Sequence, residues 1–384
     1  MAATPHLAAR KSKYRIAVAF PRRQNSSRHE VASQDALARK LADVLQLDFV
    51  QDYQPEAMLS SGGIYYVPAQ TLVRVNAMHG APPYFQDIQD AEDLFGGLVP
   101  YEFVATKAIT HGLLNPGAAA PEGWSHDFGQ QVAHATLAGI TVFSMTDARL
   151  AGIRLLALGP IRIKPVQASG GRGQLVISDR RQLDQALAGQ NDDELAKWGL
   201  VLEEHLQDVE TYSVGQARAG GVELSYVGTQ SLTPDNEAQP VYGGSALLCV
   251  RGGYEDLMAL PLDEPQRQAV RLARQYDAAA QRCWPALLAS RRNYDVARGK
   301  DARGRIKMGV LEQSWRAGGA SFAEACALGA FRAEPKRAVA KAYTCERYGK
   351  GYRPPDTVQI IYQGDDPATG FITKYGAIEP HGHP

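Results

Sequence analysis

Long apolar runs, paired cysteines and a surplus of either charge are all missing from this chain of 384 residues. No stretch approaches the roughly 18 apolar residues of a membrane span, which argues against a membrane partner. The four cysteines, Cys249, Cys283, Cys326 and Cys345, form no CxxC pair. That argues against a zinc knuckle or a disulfide framework and fits a reducing compartment. Forty-one basic residues balance forty-one acidic ones, so no global field favours nucleic acid or an anionic membrane. Three motifs are missing too. No GxGxxG follows the first strand, no GK[ST] follows a glycine loop, and YGGSALL from Tyr242 is not GxSxG. The opening MAATPHLAARKSKYR has no apolar core long enough for a secretory signal. Cytoplasm is the expected location.

What is present suffices for two or three domains around a sizeable core, with 45% apolar and 21% charged residues. Tyr14 to Phe20 reads as a buried strand. Ser27 and Glu30 form a capping box for a helix whose Leu37, Leu41, Val44 and Leu45 share one stripe. Strands near Leu47 to Val50 and Ile64 to Val67 complete a small α/β domain to about residue 105. Val104 to Leu114 and Gln130 to Gly139 read as helices, and Gly139 to Ser144 as a strand. A helix from Asp147 then runs to about Leu158. Further on, a hairpin turns at Ala219 to Gly221, Thr233 to Gly244 reads as a polar loop, and a long helix spans Glu264 to Trp284. Residues after about Pro335 are expected to be a tail. The expected divisions are 1–105, 106–198, 199–335 and a C-terminal extension over 336–384.

The most informative stretch is RIKPVQASGGRGQLVI, from Arg162 to Ile177. Ile161 and Ile163 alternate with Arg162 and Lys164, so both cations fall on one strand face. Ser169, Gly170, Gly171 and Gly173 then make a loop with little side-chain bulk. Such a loop can bring backbone N–H groups close to an anion, as a flap over nucleotide phosphates does. An ordinary hairpin with a loose tip fits the same residues.

Two acidic clusters follow. A strand ending in Glu203 and Glu204 can offer main-chain groups to an adenine edge, and Glu210, seven residues on, can accept from ribose hydroxyls. Solvated strand-end acids are the alternative. Later, Glu312, Ser314 and Arg316 share a strand face, with Met308 and Val310 continuing the row. Asp295 lies on a neighbouring segment with Asn293 on its face. Two carboxylates and a hydroxyl converging this way suit Mg²⁺, which keeps waters and bridges to phosphates. A solvated face with a Glu312–Arg316 ion pair is the alternative.

Taken together and in this order, KPVQASGGRG, VLEEHLQDVETYSVG, NYDVA and LEQSWRAGG resemble the ATP-grasp superfamily over roughly residues 105 to 325. The chain is also similar to a bacterial family known only as a domain of unknown function. The resemblance implies an α+β ATP-grasp fold, two α+β subdomains clasping a nucleotide, behind a small α/β domain. It further implies that Lys164 and Lys107 contact phosphates of ATP, and that Ser169, Gly170, Gly171 and Gly173 close over them. Glu203, Glu204 and the main chain near His205 would hold adenine, and Glu210 the ribose. Asp295, Glu312 and Ser314 would hold Mg²⁺. Ser314 stands where the family usually has Asn. Asn293 stands where many members place an Arg, which leaves Arg316, Arg292 or Arg291 to stabilise the oxyanion of acyl transfer. The implied activity is ATP-dependent ligation of a small-molecule carboxylate to an amine or similar nucleophile. A homodimer is compatible with it, and nucleic acid is not an expected partner. A nucleotide-binding regulator or scaffold without turnover is the alternative, motivated by those two departures.

Overall fold

The computed structural model describes residues 13–55, 63–74, 88–167 and 173–379. Near the start, Ile16–Val18 lies between Asp48–Val50 and Ile64–Tyr66 in a parallel sheet. The connecting helix Arg28–Leu45 begins as expected, with Ser27 and Glu30 exchanging capping bonds. A small sheet of Leu72–Val73, Gly97–Val99 and Leu288–Ala289 ties this unit to the later chain.

The next unit is a four-stranded antiparallel sheet in the order Gly139–Val142, Leu200–Glu204, Ile161–Pro165, Leu175–Ile177. Helices Met145–Leu156, Arg180–Ala188 and Asp192–Trp198 pack on it around Leu155, Ile161, Ile163, Leu183 and Leu202. Opposite stands an eight-stranded antiparallel sheet. Its order is Ile306–Ser314, Arg291–Lys300, Gln207–Ala219, Val222–Pro234, Pro240–Arg251, Val339–Tyr348, Gly370–Ile378, Gln359–Asp366. Strand alternation divides its side chains between two cores. Tyr212, Val214, Tyr294 and Val296 pack against helix Glu264–Cys283. Ala217, Ala219, Tyr226 and Leu247 pack against helices Ser321–Ala333 and Arg28–Leu45.

Several expectations need correction. Residues 104–114 form no α-helix but two 3₁₀ turns, Glu102–Ala105 and Lys107–Thr110. The helix placed at 130–139 is His126–Val132 instead, ending early so that irregular backbone can carry Leu137 to the cleft described below. The loop placed at 233–244 shrinks to 235–239, because the flanking strands run on to Pro234 and resume at Pro240. The Asp235 carboxylate closes it by accepting the N–H groups of Glu237 and Gln239 at 2.8 and 2.9 Å. The turn at Gly220 and Gly221 is as read. Ala219 pairs directly with Val222, and both glycines have positive φ, 58° and 75°, the conformation of a two-residue type I′ hairpin.

The largest correction concerns the expected tail. Val339–Tyr348, Gln359–Asp366 and Gly370–Ile378 are strands of the large sheet, and Val339–Tyr348 pairs along Pro240–Arg251. The buried positions of Val339–Tyr348 are Ala340, Ala342 and Thr344, too small to announce a strand, and those of Gly370–Ile378 run consecutively without alternating. No described helix is long and apolar enough to cross a membrane. A chain stopped at Pro335 would leave Pro240–Arg251 with an unpaired edge and open the core over Phe331. It is expected to lose its cooperative urea transition and to aggregate. A truncated chain that unfolds at the full-length midpoint would contradict this.

Candidate functional site

A cleft of about 640 Å³ runs between the two sheets and on to the N-terminal unit. Its walls come from strands 161–165, 200–204, 291–300 and 306–314, from the loop after Ile16–Val18, and from the last strands. Leu137, Leu206 and Ala297 form a small buried apolar cluster, with Leu311 packed against it, and all four face this cleft.

Beside that shelf lies a buried polar triad. Lys164 and Glu203 are 3% and 2% exposed and form an ion pair. His111 Nε2 lies 3.1 Å from the other Glu203 oxygen. Burial alone would raise the Glu203 carboxyl, but the Lys164 charge and the His111 bond outweigh it and hold it below the ordinary range. Glu204 also faces the cleft, where its carboxylate accepts the Ala138 N–H at 2.9 Å. The His205 N–H is taken by the Pro160 carbonyl at 2.9 Å. Burial and the neighbouring Arg162 charge lower the His205 ring's affinity for a proton. Arg162 can only donate, so His205 Nδ1 accepts its guanidinium at 3.1 Å.

Across the cleft, Asp295 pairs in register with Glu312 on the neighbouring strand. Ser213, Gln230 and Asn293 point hydrogen-bond donors at one Asp295 oxygen, at 3.5, 2.8 and 3.0 Å. Burial first, then the Glu312 charge, pushes the Asp295 carboxyl up to about 6. Lys107, buried on its 3₁₀ turn, reaches Glu312 at 2.7 Å. A β-bulge explains the geometry. Val296 pairs with Val310 while Asp295 pairs with Glu312, so Leu311 is an extra residue. The expected row of Met308, Val310 and Glu312 on one face is therefore broken. Met308 and Val310 pack in the core behind the sheet, and Leu311 and Glu312 both face the cleft.

Beneath this acidic end is a buried ion pair. Arg291 donates to both Glu324 oxygens, at 2.8 and 2.9 Å, and the two residues are 1% and 0% exposed. Its other nitrogen holds the Ser314 carbonyl at 3.0 Å, the Ser314 hydroxyl at 3.3 Å and the Arg316 carbonyl at 2.5 Å. The Tyr226 hydroxyl joins Glu324 at 2.6 Å to Asn293 at 2.9 Å, and Asn293 in turn donates to Asp295.

Lys164, Glu203, Glu204, Asp295, Glu312, Ser314 and Arg316 thus line one cleft, and Lys107 and the His205 ring touch residues that do. Ser169, Gly170 and Gly171 lie outside the described residues, and Gly173, just beyond them, has φ 68°. Two candidates are misplaced. Glu210 lies on the strand face opposite Val209, Thr211 and Ser213, where it accepts the Tyr212 hydroxyl at 2.5 Å. Arg292 has the opposite parity to Asp295 and faces Asp277 of the helix behind the sheet, at 3.5 Å. Ser314 is in place, but its hydroxyl faces the Arg291 guanidinium, a poor setting for a cation ligand. Among the described residues, no group of three or more His, Cys, Asp or Glu side chains could hold a metal by itself. Sequence reasoning passed over His111, whose partner is 92 residues away. It could have favoured Arg291, which shares the parity of Asn293 and Asp295.

Residues 17–376 match the model of a family described as "Protein of unknown function (DUF3182)". The chain belongs to that family. No curated protein matches it in sequence. In three dimensions this DUF3182 chain is similar to biotin carboxylase from Campylobacter jejuni, solved with β,γ-ATP. The TM-score is 0.53 at 12% identity, over 96% of this chain and 87% of that one. It is also similar to N5-carboxyaminoimidazole synthetase from Staphylococcus aureus, with TM-score 0.51 and 10% identity over 96% and 94% of the two chains. A third similar structure is the biotin carboxylase domain of Hydrogenobacter thermophilus 2-oxoglutarate carboxylase, a dimer with MgADP, ADP and bicarbonate. There the TM-score is 0.50, at 12% identity over 97% and 87%. At such identities the likeness establishes the fold, and that fold is ATP-grasp.

Two stability measurements probe the site. Asp295 takes up its proton at higher pH folded than unfolded, so its charged form weakens the fold above about pH 6, and the penalty fades as pH falls. Asp295→Asn is expected to raise the urea midpoint at pH 8, with less gain at pH 5; a lower midpoint at both values would contradict the sign. Glu324→Gln strands the Arg291 charge in the interior and is expected to cost about 3–5 kcal/mol in urea denaturation. A loss under 1 kcal/mol would mean that the pair does not hold this end of the sheet.

Proposed function

We propose that this DUF3182 chain is an ATP- and Mg²⁺-dependent ligase that activates a small-molecule carboxylate for attack by an amine or similar nucleophile. The supporting observation is the convergence on one cleft of an apolar shelf, the Lys164–Glu203–His111 triad and the Lys107-linked acid pair. In this reading adenine lies on Leu137, Leu206, Ala297 and Leu311, with its edge toward Glu203, Glu204 and the main chain near His205. The ribose meets Thr211 and Ser213, which take the place expected of Glu210. Lys164 and Lys107 bind the phosphates, each exchanging a carboxylate partner for ATP. Asp295 and Glu312 suit Mg²⁺ because they are two carboxylates paired across adjacent strands at the cleft. The ion supplies charge neutralisation on the phosphates, with water and phosphate oxygens completing its shell.

The chemistry then needs positioning rather than a side-chain nucleophile. A substrate carboxylate oxygen attacks the γ-phosphorus, the bond to the bridging oxygen breaks, and ADP leaves with the electron pair. The amine nitrogen attacks the acyl carbon, a C–N bond forms, and phosphate departs as the amine's proton passes to solvent. Arg316, facing the cleft beside Glu312, stabilises the oxygen that gains charge as the amine attacks.

The Ser314 hydroxyl, committed to Arg291, favours a second reading in which the chain binds ATP and regulates or scaffolds without turnover. One assay decides between them. Phosphate release by the purified chain, screened against a broad panel of acids and amines, is expected to depend on a particular acid–amine pair. Asp295→Asn and Glu312→Gln should each lower kcat on the order of 100-fold. Tight ATP binding with no phosphate release across the panel would replace ligation by the second reading.

A further inference from the structure

The cations lining the cleft are not equally neutralised. Lys164 is paired with Glu203, Arg291 with Glu324 and Lys374 with Glu346. Arg162, at the adenine end, is bonded to neutral Gln174 and His205. The two that remain stand together at the other end. Arg23 comes from the loop between Ile16–Val18 and the capped helix, and Arg316 from the end of the acid-bearing strand. Neither has a carboxylate within 4.0 Å among the described residues. The one bond of the Arg316 side chain there goes to the neighbouring Ala317 carbonyl, at 2.9 Å. Glu30, near Arg23, spends its carboxylate on the Ser27 N–H and hydroxyl, at 2.9 and 3.2 Å. Burial, and next the Arg23 charge, pull the Arg316 guanidinium below its ordinary value, against the opposing Glu312 and Asp295 charges. Glu30 near Arg23, and Glu312 and Asp295 near Arg316, temper the charge without pairing with either guanidinium, so both arginines keep N–H donors for an oxyanion.

We infer that Arg23 and Arg316 together grip an anionic group of the substrate, a carboxylate or a phosphate ester, making the N-terminal unit a specificity element of the cleft. This rests on the ligase reading for the role of the bound anion, though not for its binding. Planar guanidinium groups suit either oxyanion, since each presents paired N–H donors to paired oxygens. Arg23 acts as a substrate-binding residue, distinct from the groups that hold the nucleotide.

The test uses the full chain without nucleotide. Thermal midpoints are followed against inorganic phosphate, acetate and malonate at constant ionic strength, with chloride as the control. At least one anion is expected to stabilise the protein beyond chloride and to saturate. Whether phosphate or a carboxylate does so identifies the source of the charge. Arg23→Gln should weaken that apparent affinity about tenfold or more, and Arg23→Lys by less. Midpoints in chloride near the wild-type value show that both variants fold. No anion exceeding chloride, or unchanged affinity in Arg23→Gln, overturns the inference. Calorimetry with ATP and Mg²⁺ is run in parallel. ATP binding without anion binding sinks the two-arginine site alone, and anion binding without ATP binding sinks the ligase reading alone.

Discussion

The buried pairing of Arg291 with Glu324 is the constraint on which the acidic end of the cleft depends. A guanidinium and a carboxylate withdrawn from water are tolerable only when nearly every hydrogen-bonding position is met. Here the remaining donors of Arg291 go to the Ser314 and Arg316 carbonyls, and Tyr226 serves Glu324. One ion pair therefore joins helix Ser321–Ala333 to three strands of the large sheet. Through Tyr226 and Asn293 the same network reaches Asp295.

Charge is apportioned along the cleft in a way that composition conceals. Equal totals of acid and base would suggest an even surface. Instead, the cleft carries a closed triad at one end, a like-charged acid pair touched by one lysine in the middle, and two arginines at the other end. Lys164 and Lys107 each already hold a carboxylate, so neither ammonium group is stranded in the interior. Glu203 stays charged because it is held by both Lys164 and His111.

The features legible in the sequence were those carried by local rules. The capping box at Ser27, the diglycine hairpin and the strand with Lys164 depend on residues close together, and they appear where expected. Asp295 and Glu312, singled out by an ordered set of motifs, pair across adjacent strands and line the cleft. Failures came where long-range pairing overrides local pattern. The bulge at Leu311 reverses faces within a single strand, which strict alternation cannot anticipate. Glu210 was expected in the cleft from its spacing after Glu203, and Arg292 as a substitute for an arginine the resemblance implies, although parity alone sets Arg292 opposite Asp295. Ala340 and Ala342 gave too weak a signal to announce a strand, yet the partner strand Pro240–Arg251 supplies the pairing that makes them one.

The late position of Val339–Tyr348 and Gly370–Ile378 in the chain has a consequence for biosynthesis. A ribosome delivers Lys107, Lys164, Asp295 and Glu312 before it delivers the wall bearing Thr344, Glu346 and Lys374. Until those strands emerge, Pro240–Arg251 is an open sheet margin, able to recruit the same segment of a neighbouring nascent chain. Translation that stalls between Pro335 and Val339 would therefore expose the molecule at its stickiest moment, which makes chaperone demand greatest over a short interval late in synthesis.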